Sequence, residues 1–336
     1  MFIDILQRDM PPVFVAYYCD PSNRQCDSCG HKKPGPPNRI HGDQMFDFTF
    51  GDITVTRIVE MEMPMLGATT FFPEWNDAAI EPHRDWLIPR HFDPASGNVV
   101  INIQAFLVRT PRHTILVDTC VGNHKPRNRE MFDNALFPWM DNFLALGVAP
   151  EDIDYVLCTH MHVDHVGWNT KLEDGRWVPT FPNAKYIFAR TELEFWKQQS
   201  EQDQMTRTGD YIVDSVVPIL EAKQEVLVDM DHQLDDGLTL QPLPGHTPGM
   251  VGLNINSGGA EAILCGDMMH HMIQCHIPDW STLACADMEA ARVTRKAFLD
   301  RYADTDVTIV PSHFPNPTAG LIVPHGDTFG FRYIGE

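Results

Sequence analysis

The chain has 336 residues, of which 43% are hydrophobic and 21% charged, a composition typical of globular proteins with a sizeable core. Lysine and arginine total 25 against 46 aspartate and glutamate residues, so the formal net charge is 25 − 46 = −21 with histidine neutral. A field of this sign repels phosphate backbones and anionic bilayers, which argues against nucleic acid or a membrane surface as a partner.

The sequence shows none of the usual signals for a membrane or secreted protein. Its apolar runs are shorter than the roughly 18 residues that span a bilayer. Charged residues interrupt the apolar N-terminus, unlike the uninterrupted core of a secretory signal. The eight cysteines are scattered, which favours buried thiols over a disulfide framework. We therefore expect a cytoplasmic protein.

The N-terminal segment differs from the rest of the chain. Residues 1–45 lack hydrophobic periodicity and contain clustered prolines, which predicts an irregular arm followed by one domain over residues 46–336. A C-x6-C-x2-C-x-H pattern in the arm offers four ligands for a closed structural zinc site, with a loop of free thiols as the alternative. The candidate ligands are Cys19, Cys26, Cys29 and His31.

From about residue 50, apolar runs alternate with turn residues, and apolar positions at helical spacing appear in three places. Strand blocks with occasional helices in both halves predict two sheets packed face to face, with helices outside. The predicted strands cover residues 54–59, 99–108, 114–117, 155–158, 238–243, 250–255, 261–265 and 307–311, and the predicted helices cover 131–144, 191–198 and 287–302.

The strongest functional signal is the segment T-H-M-H-V-D-H at residues 159–165, directly after a predicted strand. A strand alternates its side chains, and a helix would send His160 and His162 to different faces, so these ligands require a tight loop. On a loop, His160 and His162 can bind one metal while Asp164 and His165 turn towards a second. The alternative is a surface loop that happens to be rich in histidine, which the ordered strand before it and Gly167 after it disfavour.

One loop cannot complete two metal sites. A catalytic metal needs about three protein ligands and an open position for water, and a two-metal site also needs a bridging group, typically a carboxylate. Three later residues each follow a predicted strand: His246 in P-G-H-T-P-G, Asp267 after an apolar run, and His313 after another. Taken alone, each could be a turn histidine or a capping aspartate. Together with the first loop, they repeat one pattern of strand, turn and ligand.

The order T-H-x-H-x-D-H, P-G-H-T-P-G, G-D and S-H, with L-V-D-T at residues 116–119, resembles the metallo-β-lactamase superfamily over roughly residues 50–320. The resemblance implies an α+β fold, a four-layer αβ/βα sandwich with metals at one edge between the two β-sheets. The ligand set that it implies is His160, His162 and His246 for the first metal, Asp164, His165 and His313 for the second, and Asp267 as the bridge.

Two further positions follow from the same resemblance. Asp118 matches the family's buried carboxylate behind the metals, which orients a metal ligand. Cys120 stands where the family usually has glycine, in the sequence D-T-G, so the turn after Asp118 departs from the family's pattern.

Other departures from the family's pattern exclude some of its activities and favour others. Zinc β-lactamases commonly place cysteine where this chain has Asp267, and flavo-diiron oxidoreductases carry glutamate where it has His162. The charge of −21 argues against the ribonuclease branch. N-acyl homoserine lactonases usually carry tyrosine three residues after the bridging aspartate, where this chain has His270. The stretch G-D-M-M-H instead resembles the methyl parathion hydrolase group, whose members hydrolyse aryl esters, lactones and phosphotriesters.

The resemblance therefore implies a dinuclear metal-dependent hydrolase in which a metal-bridging hydroxide attacks a lactone, a carboxylic ester or an organophosphate-type ester. Two divalent ions are expected, zinc first, although the mixed nitrogen and oxygen ligands also accept manganese, iron, cobalt or nickel. Asp164 is a candidate for passing a proton to the leaving group, and His270 for a hydrogen bond or proton, with a structural histidine as the alternative.

The expected partner is a small-molecule ester or lactone, and a homodimer is a candidate assembly because related enzymes are often dimers. One alternative function is thioester hydrolysis of the glyoxalase II kind, although the sequence shows no Lys/Arg cluster for an anionic thiol cofactor. An alternative of another class is a metal-binding protein without turnover. The candidate aromatic residues of an apolar substrate pocket, each of which could instead belong to the core, are Phe71, Phe72, Trp75, Trp168 and Trp196.

Overall fold

The computed structural model describes residues 47–336. The N-terminal arm predicted over residues 1–45 and the candidate zinc site at Cys19, Cys26, Cys29 and His31 lie outside the described residues.

Two large β-sheets form the centre of the domain. The first has the strand order β1-β2-β4-β5-β6-β9-β10, with β3 paired to β4, and the second runs in chain order from β11 to β17. The strands β7 and β8 form a separate hairpin. The strands are β1 (Asp47–Phe50), β2 (Ile53–Gly67), β3 (Phe92–Asp93), β4 (Asn98–Arg109), β5 (Thr114–Val117), β6 (Tyr155–Leu157), β7 (Thr170–Glu173), β8 (Arg176–Pro179), β9 (Lys185–Ala189), β10 (Glu225–Val228), β11 (Gln233–Asp235), β12 (Leu238–Pro242), β13 (Val251–Ser257), β14 (Ala260–Leu264), β15 (Thr308–Val310), β16 (Gly320–His325) and β17 (Thr328–Tyr333).

Helices cover the outer faces of both sheets. The helices are α1 (Ala68–Phe71), α2 (Asp77–Ile80), α3 (Arg84–Leu87), α4 (Trp139–Ala145), α5 (Arg190–Glu201), α6 (Ile212–Ser215), α7 (Val217–Glu221), α8 (Ile273–His276) and α9 (Met288–Tyr302). No helix within residues 47–336 is long and apolar enough to cross a bilayer.

The sheets are buried on both faces because their strands are apolar at consecutive positions. On β5, Val117 packs into the core between the two sheets, and Leu116 packs into the core that α4 and α5 cover. Successive side chains of a strand point to opposite faces, so a run of apolar residues buries both. On the other side, Phe298 of α9 packs with Ile263 of β14 against the second sheet. The expected four-layer αβ/βα sandwich of the α+β class is confirmed.

One predicted helix is shorter than expected. The apolar spacing over 131–144 predicted a continuous helix, but α4 begins at Trp139, and the residues before it form turns. Asn134 has a φ of +50°, and Pro138 is the residue that precedes the helix. A proline inside a helix would lack the required N–H, so the helix starts after it. The hairpins β7–β8 and β16–β17 were not identified from the sequence.

The strand directions bring the loops that follow them to one edge. β5 pairs with β6 in parallel, and β14 pairs with β15 in parallel. The carboxyl ends of parallel neighbours lie at the same edge of a sheet. Loops carrying Asp118 and Thr159 therefore leave the first sheet together, and loops carrying Asp267 and His313 leave the second sheet together.

Gly167 holds two of these loops in contact. Its N–H donates to the Cys120 carbonyl, and a Cβ at this position would lie 1.8 Å from the Val121 carbonyl oxygen. We expect Gly167→Ala to lower the free energy of unfolding by about 3 kcal/mol or more, because backbone must move to admit the methyl group. Denaturant unfolding would measure the change.

Gly67→Ala is the matched control, because its added Cβ would find its nearest neighbour, Thr70 Oγ1, at 3.6 Å. We expect this variant to stay within about 1 kcal/mol of the parent protein. Equal denaturation midpoints for the two variants would contradict the close approach at Gly167.

Candidate metal centre

The segment Thr159–His165 lies on the loop between β6 and a 3-10 turn at Gly167–Asn169. Fully buried Asp118 fixes both ends of the loop: its Oδ1 accepts the Thr159 N–H at 2.8 Å, and its Oδ2 lies 2.8 Å from His165 Nδ1. Asp118 and Cys120 have φ values of +60° and +52°. Cys120 thus adopts the left-handed conformation that a glycine at this position adopts without strain.

Four side chains meet at one end of this loop. A ligating atom from each of His160, His162, His246 and Asp267 lies within 4.8 Å of the others. The distance from His162 Nδ1 is 3.1 Å to His160 Nε2 and 2.7 Å to His246 Nε2. His246 lies on the loop between β12 and β13, which is joined to the first loop by a hydrogen bond from Val251 N–H to the Thr159 carbonyl.

Asp164, His165 and His313 form a second group whose ligating atoms lie within 4.8 Å of one another. Asp267 contacts members of both groups: its Oδ1 is 3.3 Å from His165 Nε2, and its Oδ2 is 3.2 Å from His246 Nε2. The Asp267 Oδ2 atom is also 3.0 Å from His313 Nε2. The structure thus brings together all seven expected ligands and puts Asp267 between the two groups.

The ring nitrogens that face away from the centre have their own neighbours. Such contacts fix the orientation of a ligating imidazole and its tautomer. The neighbours are Thr159 Oγ1 at 3.1 Å for His160 Nδ1, Asp118 Oδ2 at 2.8 Å for His165 Nδ1, the Asn102 carbonyl at 2.7 Å for His313 Nδ1 and Cys285 Sγ at 3.5 Å for His246 Nδ1.

The polar atoms at the centre fit bound divalent metals. His165 Nε2 and Asp267 Oδ1 are buried and have no hydrogen-bond partner within the described residues. Leaving such groups unsatisfied is costly, and a cation between them would remove the cost. Burial lowers the pKa values of His160 and His162 well below the usual histidine value, which favours the neutral imidazole that binds metals. The donor set of imidazoles and carboxylates suits two divalent ions.

His270 lies beside this centre, at the wall of a cavity of about 500 Å³. Its Nε2 is 3.3 Å from Asp267 Oδ2, its ring stacks on that of His313, and neither ring nitrogen has a hydrogen-bond partner within residues 47–336. Burial lowers the pKa of His270 to about 3. The structure therefore places an unsatisfied imidazole where it can contact a molecule in the cavity.

Two of the five expected pocket aromatics, Phe71 and Trp196, line this cavity. The other three lie elsewhere, which corrects the expectation for them. Trp168 stacks on Trp139 in the core behind the first sheet, and its Nε1 donates to Glu60. Phe72 and Trp75 pack in a different core cluster, where their two rings stack on each other. Large aromatic side chains bury well in cores, and the sequence pattern does not separate the two roles.

The cavity also contains residues that the sequence reasoning missed. Arg129 and Arg207 both line it, although the sequence shows no Lys/Arg cluster. Arg129 closely follows Lys125 and Arg127, whereas Arg207 has no basic neighbour and lies 78 residues further along the chain, so no local signal pairs the two arginines. The apolar part of the wall includes Met65, Leu66, Ile101, Phe132, Phe195, Met205 and Tyr211.

Glu192, on α5, is a second residue that the sequence reasoning missed. Its Oε1 accepts the Met161 N–H at 2.8 Å, and its Oε2 accepts the Gly249 N–H at 3.0 Å. Trp196 Nε1 also donates to Oε1 at 2.7 Å. The buried carboxylate thus connects the loop of His160 and His162 to the loop of His246.

The sequence around this centre is similar to that of known proteins. The family model described as the metallo-beta-lactamase superfamily matches residues 98–313, a stretch that contains all seven expected ligands. An N-acyl homoserine lactonase of Bacillus cereus is 26% identical over 181 residues, which are 50% of this chain and 64% of that protein. The lactonase AttM of Rhizobium radiobacter is 27% identical over 192 residues, 54% of this chain and 66% of that protein. The chain thus spans just under two thirds of the length of either relative.

Solved structures share the fold over a larger part of the chain. The hydrolase AbOPH, of the beta lactamase superfamily, superposes with a TM-score of 0.72 at 23% identity and covers 87% of this chain and 98% of its own. AidC, described as a dizinc quorum-quenching lactonase in complex with a product, superposes with a TM-score of 0.70 at 23% identity and the same coverage. At this level of identity, the likeness shows a shared fold.

Replacing Glu192 should loosen the metal centre without removing a ligand. In Glu192→Gln, the amide has one acceptor oxygen in place of two, so a loop N–H loses its partner. We expect the affinity for zinc to fall about 10-fold to 100-fold, as is typical when a group that positions ligands is lost. Competition with a chromophoric chelator would measure the affinity.

Glu194→Gln is the matched control, because Glu194 is exposed on the same helix. It should bind zinc as the parent protein does. If Glu192→Gln also kept the parent affinity, Glu192 would not position the ligand loops.

Proposed function

The chain belongs to the metallo-beta-lactamase superfamily, and on this premise we propose that it is a dinuclear metal-dependent hydrolase acting on lactones or related esters. The observation that carries the proposal is the meeting of two ligand groups around Asp267 beside an apolar cavity. A closed structural site would have no need of a second metal or of an adjoining cavity. This arrangement argues against the alternative of a metal-binding protein without turnover.

In the proposed site, His160, His162 and His246 would hold one metal, and Asp164, His165 and His313 would hold the other. Asp267 would be a ligand shared by the two sets, and Asp118 orients His165 through Nδ1. When bound, two divalent cations lower the pKa of a water and polarise a carbonyl or phosphoryl oxygen. We propose zinc, which is supported by the likeness to a lactonase described as dizinc and by the imidazole-rich ligand set.

Two residues can act on the substrate directly. Asp164 is 19% exposed and lines the cavity, so its carboxylate can accept a proton and deliver it to the leaving group. His270 can donate a hydrogen bond to a substrate oxygen, since neither of its ring nitrogens has a hydrogen-bond partner within the described residues.

Lactones are the first substrate class that we propose. The relatives named above are N-acyl homoserine lactonases, and the apolar wall suits an acyl chain. Aryl esters and organophosphate-type esters are the second class, because this chain has His270 where homoserine lactonases usually have tyrosine.

Metal analysis combined with a hydrolysis panel tests the proposal. The zinc-loaded protein should contain about two metals per chain and cleave a lactone, a 4-nitrophenyl ester or a phosphotriester such as paraoxon. His313→Ala should lower the stoichiometry to about one and reduce kcat by about 100-fold or more. Atomic absorption and initial rates would measure both quantities.

His325→Ala is the control, because His325 is exposed and lies outside the cavity wall. It should keep two metals and the parent rate. A stoichiometry near one in the parent protein, unchanged by Asp164→Ala or His313→Ala, would rule out the dinuclear site.

The role of His270 can be separated from that of a ligand. We expect His270→Phe to keep two metals while kcat falls about 10-fold to 100-fold, because a hydrogen bond formed in the transition state is lost. His270→Gln, which retains an N–H donor, should restore part of the rate. Loss of a metal in His270→Phe would instead show that His270 is a ligand.

A further inference from the structure

Two guanidinium groups face the same cavity as the proposed metal centre. Arg129 lies in the turns before α4, and Arg207 lies between α5 and α6, yet both line the cavity with Asp164 and His313. Arg129 is half-buried, and Arg207 is exposed at the rim. Arg207 Nη1 donates to the Leu283 carbonyl at 2.9 Å, which connects this rim to the segment that contributes Ala284 to the wall.

Neither arginine forms a salt bridge among residues 47–336, and Asp164 is the carboxylate whose charge acts on both. The side chain of Arg129 donates no hydrogen bond there, and Arg207 has only the neutral Leu283 carbonyl. The carboxylates that line the cavity are Asp164 and Asp267, and both belong to the proposed metal ligands. In the metal-loaded protein, these carboxylates would bind the cations.

The two arginines lie close enough to influence each other. Desolvation and the neighbouring Arg129 guanidinium lower the pKa of Arg207 to about 10, against the opposing charge of Asp164. Desolvation also lowers the pKa of Arg129, again against the charge of Asp164. Both groups stay charged at neutral pH, because a guanidinium titrates far above it. Two like charges near each other are unfavourable, and a bound anion would offset their repulsion.

The positive charge of Arg129 and Arg207 contrasts with the negative net charge of the chain. The formal net charge is −21, so the average surface repels anions. In the cavity, two divalent metals would outweigh two aspartates, and Arg129 and Arg207 would add to the positive field. A cleft lined by one sign of charge raises the local concentration of ligands of the opposite sign.

We propose that the substrate of this hydrolase carries a carboxylate remote from the scissile ester, and that Arg129 and Arg207 bind that carboxylate. A guanidinium matches the planar geometry of a carboxylate and can donate two parallel hydrogen bonds. The apolar part of the cavity wall, which includes Phe132 and Met205, would hold the chain that joins the two ends of the substrate. The inference rests on the proposed hydrolytic function, and it separates this chain from relatives named for uncharged N-acyl homoserine lactones.

Matched esters test the inference with the zinc-loaded full chain. The first pair is mono-4-nitrophenyl suberate and its methyl ester, which differ by a charge at the acyl end. The second pair is 4-octanoyloxybenzoate and its methyl ester, which differ by a charge on the leaving group. We expect kcat/KM to favour the carboxylate in at least one pair by about tenfold or more, mainly through KM. The preferred pair shows on which side of the ester the carboxylate lies.

Arg129→Gln and Arg207→Gln should each reduce the ratio of kcat/KM, charged over methylated, by about tenfold, and added salt should reduce it in the parent protein. Arg176→Gln is the matched control, since Arg176 is exposed on β8 outside the cavity, and it should leave the ratio unchanged. No preference in either pair, or a preference that both cavity variants retain, would overturn the inference.

A binding measurement separates this inference from the proposed function. Octane-1-sulfonate offers an anion that guanidinium groups bind and zinc coordinates weakly, so calorimetric titration reports on the arginines without turnover. The Kd should rise about tenfold in Arg129→Gln and in Arg207→Gln but not in Arg176→Gln. If no ester were hydrolysed, the proposed function would fail, while this titration would still decide whether the arginines bind an anion. Equal Kd values in all four proteins would show that they do not.

Discussion

Buried carboxylates that accept backbone N–H groups hold the candidate metal centre together. Asp118 accepts from Thr159, and Glu192 accepts from Met161 and Gly249, so two carboxylates fix the loops that carry four histidines. Glu60 likewise accepts hydrogen bonds from the backbone N–H groups of Val121 and Gly122. Burial raises the pKa of Glu60 to about 8 and also raises that of Glu192, because removing a charged carboxylate from water is unfavourable. The hydrogen bonds offset that cost and leave the loops with one geometry.

Rigid loops matter because a metal centre requires its ligands at defined distances. The centre is built at the edge where parallel pairs in both sheets end, so its ligands come from elements that pack tightly for other reasons. The apolar runs of β5 and β14 bury both faces of each sheet and so position Asp118 and Asp267, which follow them. Sites held by regular elements are more exact than sites on free loops.

The wall of the cavity is made of different residue types from its base and comes from different elements. The base is made of imidazoles and carboxylates on short loops, whereas the wall comes from β2, α5 and the segments around Arg129 and Arg207. Wall residues differ in chemistry, from apolar Phe132 to charged Arg207. Because function depends on the residues that a fold presents at a site, we expect the wall to select the substrate and the base to carry the metals.

The sequence by itself determined the fold class and the positions that meet at the centre. The loop Thr159–His165 is a local pattern, and His246, Asp267 and His313 each follow a strand whose apolar run is visible in the chain. Tertiary structure alone decided the rest. Phe71 and Trp196 face the cavity, whereas Phe72, Trp75 and Trp168 are packed in the core. Glu192 joins two loops, and Arg129 and Arg207 line the same cavity. The physical reason is that burial and pairing depend on which surfaces pack together across the chain, and an isolated aromatic or arginine carries no local sign of that contact.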